Sequence, residues 1–169
     1  VPFRGFMVTA TFRYTDSKME FEGRGLMERP MVSKFKGVLN LQFATNLNKW
    51  VFDFTASVNG KSRVYDFMKD LKDANGELLY ADGFTKTFPL LYLQITKRFK
   101  GIDLYLGAEN LTNFRQKNVI IGTTVAEAGH SGHGGVDTSR GDFDASAVWG
   151  PIMGTKYYLG ARFTLWKKK

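Results

Sequence analysis

Cysteine is absent from this chain, which removes a disulfide framework and a thiolate metal site together. Histidine occurs only twice and proline only four times, against 18 glycines, a balance that favours strands and tight turns over helices. No apolar run approaches the ~18 residues that a membrane-spanning helix requires. No Gly-x-Ser-x-Gly, no phosphate-cradling glycine loop between a strand and a helix, and no carboxylate pair at a recognisable spacing is present, so an enzyme is not expected. A formal charge of +8 raises the question of nucleic acid. The Lys and Arg residues are spread along the chain, however, apart from the closing Lys167-Lys168-Lys169. A scattered excess reads as solvated loops and strand ends, and no nucleic-acid partner is expected.

What the chain has in quantity is aromatic residues, 15% of the total, led by 15 phenylalanines. They sit in six segments of strict period-two alternation. Phe6, Val8, Ala10, Phe12 and Tyr14 oppose Met7, Thr9, Thr11 and Arg13. Phe35, Gly37, Leu39, Leu41 and Phe43 oppose Lys36, Val38, Asn40, Gln42 and Ala44. Trp50, Phe52, Phe54, Ala56 and Val58 oppose Val51, Asp53, Thr55, Ser57 and Asn59. Leu91, Leu93, Ile95 and, past Lys97, Phe99 oppose Tyr92, Gln94, Thr96 and Arg98. Ile102, Leu104, Leu106 and Ala108 oppose Asp103, Tyr105, Gly107 and Glu109. Tyr157, Leu159, Ala161, Phe163 and Leu165 oppose Tyr158, Gly160, Arg162, Thr164 and Trp166.

Each run lasts about nine or ten residues, the length of a tilted strand crossing a bilayer, where ordinary strands have a mode near five or six. The links alternate strictly between short and long. Thr45–Lys49 and Lys100-Gly101 are short, whereas Thr15–Lys34, Gly60–Phe88 and Leu111–Lys156 are long. Bacterial outer-membrane barrels alternate in this way, with short turns on the periplasmic side and long loops outside. In that orientation Phe43, Trp50, Phe99 and Trp166 form a girdle at the periplasmic ends, and Tyr14, Phe35, Phe88 and Tyr157 form one at the outer ends. The expected fold class is therefore all-β, an antiparallel transmembrane β-barrel meander with its C-terminus on the periplasmic side.

Three stretches resemble the TonB-dependent outer-membrane receptor family. Leu104-Tyr105-Leu106-Gly107-Ala108-Glu109-Asn110-Leu111-Thr112-Asn113 is similar to the family's late strand ending in Glu-Asn-Leu-Thr-Asn. Tyr157 to Trp166, with Gly160-Ala161-Arg162-Phe163, resembles its final strand. Phe143 to Gly154 resembles the segment leading into that strand, and Lys36 to Leu41 followed by Trp50 to Asp53 also fits. The likeness implies that residues 1–169 are the C-terminal portion, about six strands, of a 22-stranded barrel that encloses a plug domain. Plug and earlier strands are absent from this chain. Six strands cannot close, since the smallest membrane barrels have eight, and open edges in lipid cost several kcal/mol per unsatisfied group. The chain is thus expected to be completed by other polypeptide.

The implied function is import of a scarce nutrient (metal chelate, haem, cobalamin or similar) across the bacterial outer membrane with energy from TonB. A passive or structural barrel without a plug, a porin or an adhesin, is the alternative. The implied partners are the remainder of the barrel and its plug, TonB with its inner-membrane energising proteins, the lipid bilayer and lipopolysaccharide, and a surface lipoprotein. No resident cofactor is implied beyond a transported metal or metal complex.

The charges on the polar faces, Arg13, Asp53, Arg98, Glu109 and Arg162, have two readings: contacts with the plug or with one another across a wet lumen, or the lining of an anionic substrate's route. Met27, Met31, Met68 and Met153 fall in or near outer loops, as copper(I) donors or as filler. The Asp66–Asp82 link reads as a solvated loop turning at Asn75-Gly76. His130 and His133 lie among glycines in the longest link, with Asp137 or Asp142 able to add an oxygen, and are the candidate substrate-binding and metal-ligating residues. If they capture a metal or metal-bearing ligand, replacing both with Ala weakens copper, zinc or haem binding and leaves expression unchanged. Capture by the parent protein then fades below about pH 6, where imidazole protonates. Metal and haem titrations of the double variant check this, and unchanged binding removes the histidines from the site.

Overall fold

The structure, a computed structural model, describes residues 4–72, 75–116, 120–121, 142–143 and 147–165, with 120–121 and 142–143 as backbone only. Long period-two runs rich in aromatic and branched residues become the principal strands. In chain order these and the minor strands are β1 (Phe6–Tyr14), β2 (Lys18–Phe21), β3 (Gly25–Glu28), β4 (Phe35–Ala44), β5 (Trp50–Asn59), β6 (Phe88–Arg98), β7 (Ile102–Glu109), β8 (Ile120–Ile121), β9 (Asp142–Phe143) and β10 (Lys156–Phe163). Six of them form one antiparallel sheet in the order β1-β4-β5-β6-β7-β10, a meander in which β2-β3 and β8-β9 are separate two-stranded excursions. The fold is all-β. Among the described residues the sheet is open: β1 pairs only with β4, and β10 only with β7.

Four of the six expected segments have their expected limits. The other two shift slightly, β6 starting at Phe88 and β10 running from Lys156 to Phe163. The short links are tight. Between β4 and β5, Leu47 and Asn48 take left-handed backbone (φ 59° and 52°), and the Thr45 hydroxyl accepts a hydrogen bond from the Trp50 amide at 3.0 Å. Between β6 and β7, Gly101 supplies a φ of 83° and the Phe99 amide donates to the Ile102 carbonyl at 2.8 Å.

Register turns the alternation into two opposed faces. One row across all six strands reads Val8, Leu41, Phe54, Leu93, Ala108, Tyr157, and another reads Phe6, Phe43, Phe52, Ile95, Leu106, Leu159. Phe12, Leu41, Phe54, Leu93, Leu106 and Phe163 share this face, as the alternation requires. Nothing in the described chain covers it: Phe12 is 71% exposed, Phe163 68% and Leu159 79%. At ordinary strand spacing and rise, the face measures roughly 800–900 Å². That exceeds the apolar patch of about 300–600 Å² that a monomer normally leaves in water.

The long links carry a core of their own. Val64 and Met68 are fully buried and pack with Tyr80 and Ala147, flanked by Met31, Leu71, Leu79 and Trp149. The Asp66–Asp82 link is therefore not simply a solvated loop. A 3-10 turn at Asp66–Met68 feeds the cluster, and Lys72 bridges to Leu78 around Gly76 (φ 82°). Met68 and Met31 are packing residues here, their flexible side chains filling the gaps between links. Phe88 also departs from its expected place in the outer girdle. Its register partner is Asn59, on the polar side, where it stacks on Phe114 at 4.6 Å and lies against Trp149 at 5.6 Å.

Tyr-Leu-Gly occurs twice, at 105–107 and 158–160, and the antiparallel register sets Tyr105 opposite Gly160 and Tyr158 opposite Gly107. Each ring lies over the facing glycine, so a Cβ on Gly107 would overlap the Tyr158 ring and one on Gly160 the Tyr105 ring. Gly160→Ala therefore destabilises the β7–β10 pair by about 1–3 kcal/mol, the usual cost of overpacking. Adding Tyr105→Ala recovers part of that loss. Denaturant unfolding of the protein, as a double-mutant cycle, checks both.

Candidate functional site

The polar face is built by the same register. Directly between the two apolar rows runs Met7, Gln42, Asp53, Gln94, Gly107, Tyr158. The Asp53 carboxylate accepts hydrogen bonds from Asn40 Nδ2 at 2.8 Å and Gln42 Nε2 at 3.0 Å. Gln94 Nε2 donates to Thr96 Oγ1 at 3.2 Å, while its Oε1 accepts from the Tyr158 hydroxyl at 3.0 Å. Tyr158 reaches that far because Gly107 lies beneath its ring. Toward the short-link end, the next charged row is Arg98, Asp103, Arg162 across β6, β7 and β10, with Arg98 Nε 3.8 Å from the Asp103 carboxylate.

Asp53, Arg98 and Arg162, three of the five polar-face charges expected to matter, thus line one cavity of about 120 Å³ with Gln42, Gln94 and Tyr105. Glu109 is apart from them, at the long-link end, where it lines a second cavity of about 340 Å³ with Tyr92, Asn110 and Lys156. Arg13 joins neither cavity: it lies on β1 opposite Lys36. Among the described residues, no buried side-chain N or O atom lacks a hydrogen-bond partner. The wall is a preorganised hydrogen-bonding surface with Asp53 held by amides and two guanidinium groups beside it. Such a surface is suited to holding polar groups.

His130, His133 and Asp137 lie outside the described residues, and Asp142 is described only as a residue of β9. Among the described residues, no group of three or more His, Asp or Glu side chains could hold a metal ion. Of the four methionines near the long links, Met68 and Met31 belong to the link core and Met153 is exposed.

Two clamps at the long-link end escaped the sequence reading. Asn110, left-handed at φ 51°, donates through Nδ2 to the Phe114 carbonyl at 2.8 Å and the Met153 carbonyl at 3.1 Å. Its Oδ1 accepts from Thr112 Oγ1 at 2.9 Å and the Phe114 amide at 3.1 Å. Thr112 Oγ1 also lies 3.0 Å from the Pro89 carbonyl, and Thr155 Oγ1 donates to the Asn110 carbonyl at 2.9 Å. The Glu109-Asn110-Leu111-Thr112-Asn113 stretch is therefore a joint between β6, β7 and the entry to β10. The second clamp is Gln116, only 4% exposed. Its Nε2 donates to the Ala147 carbonyl at 2.8 Å, and its Oε1 accepts the Trp149 and Gly150 amides at 2.8 and 3.0 Å. A polar residue just past the motif was the only signal for it.

A charged knot completes this end. Asp66 meets Arg24 at 2.8 Å, Arg63 at 2.9 Å and Lys69 at 2.9 Å, tying the β2–β3 hairpin to the β5–β6 link. The hydrogen bond from Lys69, followed by the nearby charges of Arg63, Lys69 and Arg24, holds its carboxyl below the ordinary 3.8. A depressed carboxyl favours the folded state above that ordinary value, and the contribution disappears as pH falls through the lower folded one. The group is part-exposed, so the knot is worth at most about 1 kcal/mol. The Lys34 ammonium is held above its usual value chiefly by its hydrogen bond to Glu28, at 2.6 Å.

Comparison with family models, curated proteins and solved structures found no match. The long-link end depends on Gln116, because a buried amide left without a partner costs about 1–3 kcal/mol. Gln116→Ala accordingly speeds hydrogen exchange at the Trp149 and Gly150 amides by about tenfold or more. Exchange in the β5–β6 ladder stays unchanged. Mass-spectrometric exchange on the protein reads both regions.

Proposed function

We propose that this chain is the C-terminal part of a TonB-dependent outer-membrane receptor that imports a scarce nutrient such as a metal chelate, haem or cobalamin. The observation that carries the reading is the two-faced sheet: a six-strand antiparallel meander, apolar and uncovered on one side, hydrogen-bonded and charged on the other. A face of that size and length matches the hydrocarbon thickness, which a tilted strand of about nine to eleven residues spans. The strict alternation of short and long links gives the orientation, with the short turns and the C-terminus in the periplasm. Earlier strands of the same polypeptide pair with β1 and β10, completing a 22-stranded barrel and removing the two open edges from lipid.

In this reading the polar wall faces the plug. Asp53, Arg98 and Arg162 contact it, and Glu109 lies nearer the outer mouth. TonB and its inner-membrane energising proteins displace the plug, and a surface lipoprotein covers the mouth. His130 and His133, in the longest outer link, meet the incoming ligand. Lipopolysaccharide surrounds the outer girdle.

This chain contributes no cysteine of its own, so single introduced cysteines carry spin labels once any cysteine elsewhere in the polypeptide is replaced. In the full-length protein in bilayers, labels at Phe54, Leu93 and Leu106 are more accessible to oxygen than to a water-soluble nickel chelate, and labels at Gln94 and Thr96 show the reverse. Equal accessibility at the two sets removes the membrane reading. Growth on limiting iron, haem or cobalamin that requires both this protein and TonB supports the receptor. Sugar flux through reconstituted vesicles, with growth indifferent to TonB, supports a porin-like barrel instead.

A further inference from the structure

Across the apolar face, the strand positions of β1, β4, β5, β6, β7 and β10 carry one charged residue, Lys97. Its register partner is Trp50, at the short-link end of the β5–β6 pair. The Lys97 ammonium lies 4.1 Å from the centroid of the Trp50 ring and 5.7 Å from that of Phe99. Among the described residues no carboxylate forms an ion pair with it. The nearest acidic positions in the register, Asp53 and Asp103, belong to the polar face. The turns on either side add Lys49 and Lys100, both exposed, together with the apolar Leu47, 87% exposed.

A cation on a hydrocarbon-facing surface is costly unless its stem follows the apolar surface and its head reaches the interface. The aromatic pair accounts for where the head is held, and an aromatic face is worth only a modest attraction to an ammonium. Neither ring neutralises the charge. The surface is therefore complementary to an anion at headgroup depth, with apolar side chains directly above it to receive acyl chains.

We infer that Lys97, Trp50 and Phe99, with Lys49 and Lys100, form a binding site for the phosphate of an anionic phospholipid in the leaflet at the short-turn end. Lys97 supplies the charge that selects an anionic headgroup, Trp50 and Phe99 fix its height, and Leu104 and Phe52 lie along the acyl chains. The inference rests on the membrane reading above, so its test separates the two.

The full-length protein is placed in phosphatidylcholine vesicles in which a small, equal fraction of lipid is replaced by dibrominated phosphatidylglycerol or dibrominated phosphatidylcholine. Bromine quenches nearby indole fluorescence, and the Trp50 signal is the difference between each protein and its Trp50→Phe counterpart. The expected result is about three- to fivefold preferential quenching by the anionic lipid, fading as ionic strength rises. Lys97→Arg keeps the preference. Lys97→Gln abolishes it while both lipids still quench, which shows that the variant is inserted. Equal quenching by both lipids in the parent protein, or a preference that survives Lys97→Gln, overturns the lipid site and leaves the membrane reading standing. Absence of quenching by either lipid overturns the membrane reading and the site with it.

Discussion

Side chains in a strand alternate from face to face with a period of two, so pairing register decides what the sheet presents to its surroundings. Here the row Gln42–Asp53–Gln94–Gly107–Tyr158 lies between two wholly apolar rows. A slip of one residue at any pairing would carry part of the polar row onto the apolar side. In hydrocarbon such a slip would set charged and amide groups against lipid at several kcal/mol each. The turns enforce the register from below. Left-handed Leu47 and Asn48 hold β4 to β5, and Gly101 holds β6 to β7. Those two hairpins set the amide hydrogen bonds to Asp53 and the Arg98–Asp103 pair, whereas the tyrosine–glycine pairs belong to the longer-range β7–β10 pairing.

The six long strands were legible in the sequence because their alternation persists for many residues without a break. Phe88 was placed wrongly for an instructive reason. It follows the apolar–aromatic pattern of a strand start, but its parity assigns it to the polar face, and Phe114 and Trp149 make that position apolar locally. The link core was invisible in advance, since Val64, Met68, Tyr80 and Ala147 meet with neither strand nor helix period. The polar-face charges were readable as a set, yet their grouping was not. Asp53, Arg98 and Arg162 converge through three different pairings, whereas Arg13 and Glu109 are stranded at the other end by the same register. Asn110 and Gln116 are ordinary polar residues in sequence; only the distant carbonyls and amides they meet make them clamps.

The two ends of the sheet are built on different principles. At the short-link end, backbone geometry does the work and aromatic side chains surround it, with Phe43 on Phe52 and Trp50 on Phe52 both at 6.3 Å. At the long-link end, side chains replace backbone regularity. Asn110 and Gln116 satisfy loop amides and carbonyls, Asp66 gathers three cations, and Trp149 donates its indole N–H to the Tyr80 hydroxyl at 2.9 Å. Loops anchored in this way keep a defined surface at the end of the sheet where binding residues are normally carried.

The meander also orders the entropy of assembly. Every pairing in the large sheet joins strands that follow one another in the chain apart from local excursions. Closing residues 99–101 to pair β6 with β7 spends far less chain freedom than closing 110–155 to add β10. The difference is about 2 kcal/mol by the logarithmic scaling of loop closure. The final strand is thus the most expensive to bring in, and among the described residues it is, like β1, an edge strand. Its retention depends on the tyrosines that interlock it with β7, which act as a latch on the growing sheet.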